Sequence, residues 1–174
     1  MAAIDLKSLV GKLNTPCRRA LEGAAGLTLS RSQFNVEIEH WLIKLLEDDQ
    51  SDIVACLRHF ELDPGRVSAE LNRALDRLKT GNTHPPALSP SLVTLGREAW
   101  LLATLEYGEE RIRSGHILVA LLADETLGQH ARSASALLGR VPPDVLRREL
   151  PRITGGTAEG REAATRPAAA QHVG

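Results

Sequence analysis

Apolar residues along this chain recur every three to four positions, not every second one, so the pattern predicts helices throughout. Over residues 4–13, Leu6, Leu9, Val10 and Leu13 fall within about one 100° arc of a helix, while Asp5, Lys7, Ser8 and Lys12 lie outside it. A second helix is predicted from Thr15 to Ala25, with Pro16 tolerated in its first turn and Gly26 as its stop. Ile38, Trp41, Leu42, Leu45 and Leu46 share one face of a helix over 37–47, and a shorter helix covers 52–59. Asp63-Pro64 sets a capping side chain before a proline whose missing N–H costs nothing at a first helical position, which predicts a helix over 64–79 ended by Gly81. Ser89-Pro90 repeats that signal and opens a long helix to Glu106, followed by helices over 114–123, 127–138 and 143–150. The stretch Thr80 to Pro86 has no periodicity and two prolines, so 80–88 reads as a joint. From Thr154 onward Gly, Ala, Thr and Arg dominate without an apolar face, which predicts a mobile linker over 154–174.

The pattern is also repeated. Val36-Glu-Ile-Glu-His-Trp-Leu-Ile-Lys-Leu-Leu46 aligns without a gap on Ile112-Arg-Ser-Gly-His-Ile-Leu-Val-Ala-Leu-Leu122 at an offset of 76 residues. Downstream, Leu62–Val67 aligns with Val141–Leu146 at an offset of 79, so three residues were gained while the order of elements stayed the same. Two such copies form one domain whose halves bury each other's apolar faces. The expected fold is therefore all-α: a pseudo-two-fold duplicated four-helix repeat with an extra N-terminal helix. Repeat one spans 14–79 and repeat two 89–153, with Leu42, Leu45, Leu46, Leu118, Leu121 and Leu122 buried and no β-sheet.

Composition narrows the classes of function. At 174 residues and 43% hydrophobic content, the chain is long enough for one domain with a real core. Its 21 basic and 22 acidic residues are interspersed, leaving no basic field for a nucleic-acid backbone. No apolar stretch approaches the length of a membrane span, no signal run opens the chain, and Cys17 and Cys56 are its only cysteines. These features point to a reduced, cytoplasmic setting.

Candidate chemistry is sparse. His40 and His116 occupy the same place in each copy, but both lie away from the main apolar stripe, without a H-E-x-x-H, C-x-x-C or nucleophile-elbow pattern. They are expected to be structural, bonding a backbone carbonyl or a side chain across a helix contact; the competing reading is a small hydrolase using one of them. Glu37 and Glu39, and Glu47 to Asp49, flank a helix, where carboxylates complement the dipole at the start and form a solvated end afterwards. Nothing apolar in the sequence around them is expected to raise a pKa. Cys17 and Cys56 are expected to be small buried hydrophobes. Two stripes of small residues, Ala20/Gly23/Ala24 and Gly96/Ala99/Ala103, predict close helix packing between the halves. No G-x-x-x-x-G-K-[ST] occurs, so the loop that cradles nucleotide phosphates is missing. No catalytic, metal or cofactor site is therefore predicted within the chain.

The paired blocks Glu39-His40-x-Leu-x-x-Leu-Leu46 and Gly115-His116-x-Leu-x-x-Leu-Leu122, each followed by a (Leu/Val)-x-Pro helix start, resemble the double repeat of Clp N-terminal domains over about residues 14–152. Asn14–Leu27, Leu57–Arg66 and Arg111–His116, together with the extra first helix, are most similar to the ClpV branch of type VI secretion systems. Gly115 replaces the acidic residue before the second histidine, and Pro142 replaces the capping Asp63, which suits the second copy to a different contact. The resemblance implies a recognition domain of a hexameric AAA+ unfoldase, the domain itself monomeric. The whole protein would use ATP and Mg to recycle a contracted secretion sheath. The implied partner is a helical N-terminal segment of a sheath subunit, with neither nucleic acid nor membrane involved. The alternative is a ClpB- or ClpA-type domain that recruits unfolded proteins or adaptors.

Helix-in-groove binding needs a channel between host helices. The first helix has no counterpart in the second copy, so Leu6, Leu9, Val10 and Leu13 are the expected wall, with Leu88 and Leu92 opposite. The plain alternative is that Leu88 staples onto Val93 and the first helix simply covers core.

Overall fold

Helix starts follow the side chains that can accept from otherwise unpaired N–H groups. In the computed structural model, which describes residues 5–165, Asp5 caps α1 (Leu6–Gly11), Asn14 caps α2 (Thr15–Ser30) and Ser51 caps α4 (Asp52–His59). Asp63 caps α5 (Pro64–Leu75), Ser89 caps α6 (Pro90–Leu101), Asp124 caps α8 (Glu125–Ala134) and Thr157 caps α10 (Ala158–Ala164). The remaining helices are α3 (Ile38–Leu45), α7 (Ser114–Ala123) and α9 (Pro143–Ile153). As its sequence implies, Pro142 gives α9 no side-chain cap. The fold is all-α, with α2–α5 as one copy and α6–α9 as the other.

Several boundaries depart from the periodicity, each for a local reason. Gly26 does not stop α2, because the buried face continues through Thr28, whose hydroxyl donates to the Ala24 carbonyl at 2.7 Å. Helix α5 ends at Leu75, not Lys79, since the Gln33 amide donates to the Leu75 carbonyl at 2.8 Å and closes the helix there. Helix α8 stops at Ala134 and a 3-10 turn (Ala136–Arg140) carries the rest. Helix α9 runs past Leu150 through Pro151 to Ile153. Proline has no N–H to give the carbonyl of Arg147 four residues back, and the Tyr107 hydroxyl donates to that oxygen instead, at 2.6 Å.

The long helix expected to reach Glu106 is α-helical only to Leu101 and then π-helical over Leu102–Glu106. Helix α2 has 16 residues, whereas its counterpart has 12 in α6 and 5 in the π turn, one more. The connections that follow, 31–37 and 107–113, are equal in length. The extra residue of the second copy is thus absorbed within the helix, where the Tyr107 N–H reaches back to Leu102 at 3.1 Å in an i→i+5 bond.

One apolar cluster runs through both copies and includes Leu9 and Leu13 from outside the repeat. Leu42, Leu45, Leu118, Leu121 and Leu122 are buried and Leu46 is half-buried. The joint is not featureless: β2 (Ala87–Leu88) pairs in parallel with β1 (Asn35–Val36), a two-residue ladder and not a sheet layer. The linker expectation fails for its first part. Residues 158–164 form α10, and Glu159 on it is 1% exposed. Residues 166–174 of that expectation, and Ile4 at the start of the first helix, lie outside the described residues.

Candidate partner-binding site

Helix α1 is short, but its C-terminal end is tied down. Leu13 bridges to Ile112 in a parallel pair, with Ile112 N–H donating to Lys12 at 2.8 Å and Asn14 N–H to Ile112 at 3.0 Å. The Arg111 guanidinium donates to the Gly11 carbonyl, and the Lys12 ammonium sits 4.9 Å from the centre of the Trp100 ring. These contacts lay the apolar stripe of α1 along α6.

All six expected wall residues line one apolar crevice there: Leu6, Leu9, Val10 and Leu13 from α1 and its end, Leu88 from β2, and Leu92 from α6. Leu9, Leu13 and Leu92 are buried, Val10 and Leu88 half-buried, and Leu6 is 42% exposed at the rim. Leu21, Trp41, Val93 and Gly96 complete the lining, a placement not expected from the sequence. Three of these left a signal of another kind: Trp41 on the apolar face of its helix, Val93 as the staple partner of Leu88, and Gly96 in the small-residue stripe. A Cβ at Gly96 would come within 3.1 Å of a Leu9 methyl, so this part of the stripe admits α1 and does not pack one copy on the other. Its companions Ala99 and Ala103 are fully buried. The open space in the crevice is about 10 Å³, scarcely enough for one water.

The two histidines share one structural task. His40 Nδ1 accepts from the Glu37 N–H at 2.9 Å, and His116 Nδ1 accepts from the Arg113 N–H at 3.0 Å. Each therefore pairs the backbone of its own helix cap, where a capping box would use Glu or Gln. The expected partners were a backbone carbonyl or a side chain across a helix contact, and with Nδ1 as acceptor the proton sits on Nε2. In His40 that nitrogen donates to Gln33 Oε1 at 2.7 Å. Burial, with Arg31 nearby and in spite of Glu39, lowers the His40 pKa to about 4. His116 stacks on Tyr107 at 5.2 Å and faces Glu109 at 3.7 Å.

The carboxylates divide. Glu47 pairs with Lys44 at 3.2 Å on the surface, whereas Glu39 is buried against His130 of α8 at 2.8 Å. Burial raises Glu39, but the His130 bond and charge outweigh it and the pKa is lowered; the same bond raises His130 against burial. Glu37 departs from the expectation, since partial burial raises its pKa over the opposing Ser89 bond.

A second cluster was invisible in the sequence because its parts come from positions 14, 52, 113, 114, 157 and 159. Arg113 grips Asp52 with two bonds of 2.8 and 2.9 Å and donates to the Thr154 carbonyl at 3.2 Å. Thr157 donates to Asp52 at 2.6 Å. The Glu159 carboxylate accepts from Asn14 Nδ2 at 2.8 Å, from the N–H of Asp52 at 2.7 Å and of Ser114 at 2.8 Å, and from the Ser114 hydroxyl. It thus takes free N–H groups at the starts of both α4 and α7. Burial and the Asp52 charge raise the Glu159 pKa. Burial pushes Cys17 and Cys56 up as well, reinforced by these carboxylates, so both thiols are inert.

Gly160 lets α10 dock on this cluster, since a Cβ there would collide with the Thr154 carbonyl. Gly160→Ala is expected to lift α10 and cost about 2 kcal/mol through the orphaned N–H groups of Asp52 and Ser114. Urea unfolding checks the loss, and limited proteolysis should cut near Gly155 in the variant only.

A cavity of about 390 Å³ opens between α2, the end of α3 and α10. Arg19 and Lys44 line it together with Glu47 and Asp48, so no single ligand charge is selected. Among the described residues no group of three or more His, Cys, Asp or Glu is placed to hold a metal, and no helix is long and apolar enough to cross a membrane.

A model of the Clp repeat (R) N-terminal domain matches residues 12–135. The chain is 28% identical over 159 residues to the AAA+ ATPase ClpV1 of Pseudomonas aeruginosa, which covers 91% of this chain and 18% of that protein. It is 32% identical over 163 residues to the chaperone protein ClpB of Yersinia enterocolitica, covering 94% of this chain and again 18% of the relative. A solved complex of a ClpV N-domain with a VipB peptide superposes with a TM-score of 0.78 at 30% identity, covering 91% of this chain and 97% of that one.

Proposed function

Because the chain belongs to the Clp repeat N-terminal domain family, we propose that it is the partner-recognition domain of a ClpV-type AAA+ unfoldase. In this reading it binds a helical N-terminal segment of a type VI secretion sheath subunit, so that the contracted sheath is disassembled. The observation that carries the reading is the wholly apolar crevice along α1, in a chain that is 30% identical to a ClpV N-domain solved with a VipB peptide. The chain spans 18% of the length of its curated relatives, and the ATP- and Mg-dependent work, hexamer formation and cytoplasmic location belong to the whole protein in this reading. The recognition domain, monomeric by itself, takes in α10 and so extends beyond residue 153.

Titration calorimetry of the chain with a sheath-subunit N-terminal peptide and with an unfolded model protein tests this. One saturable site for the sheath peptide is expected. Leu6 is 42% exposed on the crevice rim, so Leu6→Asp should weaken that binding about tenfold while leaving thermal stability unchanged. An apolar contact also predicts little loss of affinity on going from low to physiological salt. The second reading, recruitment of unfolded polypeptides, is favoured by the ClpB relative at 32% identity. Tighter binding of the unfolded protein than of the sheath peptide would select it and reject the ClpV reading.

A further inference from the structure

The α1 wall of the crevice is held at its base. Leu13, the last wall residue, pairs with Ile112, and the segment Arg111–Ile112 bonds Gly11, Lys12 and Asn14 on either side of it. Just beyond this bridge, one on each strand, stand Asn14 and Ser114. Both donate to the same oxygen of Glu159: Asn14 Nδ2 and the Ser114 N–H each reach Oε1 at 2.8 Å. One carboxylate oxygen of α10 therefore ties the two strands together behind the wall. The other end of the Asn14 amide is already in use, since its Oδ1 caps α2 by accepting from the Cys17 N–H at 3.0 Å, and the side chain is buried. Asn14 thus links the start of α2, the base of α1 and α10 through three different atoms.

Resting on the proposed binding reading, we infer that Glu159 is a positioning residue of the partner site: through it, docked α10 fixes the Leu13–Ile112 bridge and holds the α1 wall in the geometry that receives the partner helix. Glu159 acts through Asn14 and Ser114, because α10 itself lies outside the crevice lining. With α10 undocked, Asn14 Nδ2 and the Ser114 N–H lose their acceptor and the bridge loosens. Leu6, Leu9, Val10 and Leu13 are then no longer held in one register against Leu88 and Leu92. Partner affinity falls with the fraction of time that α10 is undocked, so the state of α10 sets the strength of recognition.

The first test needs no partner and carries its own reference. The bond from the Asn14 N–H to Ile112, 3.0 Å, has a counterpart in the other half, where Ser89, the cap of α6, donates its N–H to Val36 at 3.0 Å. In Glu159→Ala, the Asn14 and Ile112 N–H groups should exchange with solvent about tenfold faster than in the unsubstituted chain, and the Ser89 N–H at its former rate. Unchanged exchange at Asn14 and Ile112, or equal acceleration at Ser89, overturns the inference.

The second test reads affinity. Asn14→Ser keeps a capping oxygen for α2 but is too short to reach Glu159, so it cuts the same tie from the opposite end to Glu159→Ala. Neither residue lines the crevice. Each variant should weaken sheath-peptide binding about fivefold in titration calorimetry, and the double variant no more than either one, because a single link is broken. Asp63→Ala, which removes the α5 cap instead, should lower thermal stability without changing affinity. Unchanged affinity in Asn14→Ser, or a loss in Asp63→Ala equal to that in Glu159→Ala, overturns the inference. Failure of the unsubstituted chain to bind any sheath peptide would instead reject the binding reading, and the exchange rates would still decide whether Glu159 fixes the base of α1.

Discussion

Replacing Arg113 with Met should destabilise the domain by about 3–5 kcal/mol, the usual cost of stranding a buried charge. Asp52 is 1% exposed and receives both Arg113 bonds, so methionine fills the space but leaves the carboxylate without its countercharge. Burial opposes the charge on Arg113, yet the Asp52 bonds and the charges of Asp52, Glu109 and Glu159 raise its pKa overall. The guanidinium therefore keeps its charge beside Asp52. Urea unfolding of Arg113→Met, Asp52→Leu and the double variant gives the coupling between the two sites. The double variant should be more stable than either single one, because an apolar pair does not leave a buried charge uncompensated. Additive losses would mean that each side chain is held mainly by other contacts.

Acidification should cost about 3 kcal/mol between pH 6.5 and 4 through His40 alone, from a pKa lowered to about 4 against an ordinary 6.5. The sign follows from proton counting: in this window the unfolded chain binds a proton that the folded imidazole refuses, so stability falls as pH falls and levels off below pH 4. Glu39, whose pKa is lowered, adds to the loss as pH drops through the carboxylate range. Glu159 works in the opposite direction, because its raised pKa lets the folded state take up a proton first. His130 contributes at the other end: with its pKa raised, its share is complete below 6.5 and is lost as pH rises through the folded value. His40→Gln isolates the imidazole, since an amide can still accept the Glu37 N–H but does not titrate. Chemical unfolding of both proteins at pH 7, 5.5 and 4 should show the wild type losing about 3 kcal/mol more than the variant. Parallel losses would mean that the buried imidazole is not what makes the fold acid-sensitive.

What the linear chain determined was local or repeated. Apolar residues at three-to-four spacing must form helices to share a face, so the stripe Leu6, Leu9, Val10, Leu13 specified α1, and Ser89-Pro90 specified the start of α6. The 76-residue offset specified two copies, and from that the lack of a second α1 could be read. Tertiary structure decided whatever depends on groups far apart in the chain. No periodicity marks α10 as folded, because it is held by polar contacts: Glu159 reaches N–H groups 107 and 45 residues away, and Thr157 donates to Asp52. The same holds for Gly96, an ordinary helical glycine until Leu9 lies on it, and for the histidines, whose ring nitrogens found partners only once the helix caps had formed. Backbone hydrogen bonding and amphipathic burial are legible from neighbours in sequence. The direction of a buried polar side chain is set by whichever unpaired donor the assembled fold leaves beside it.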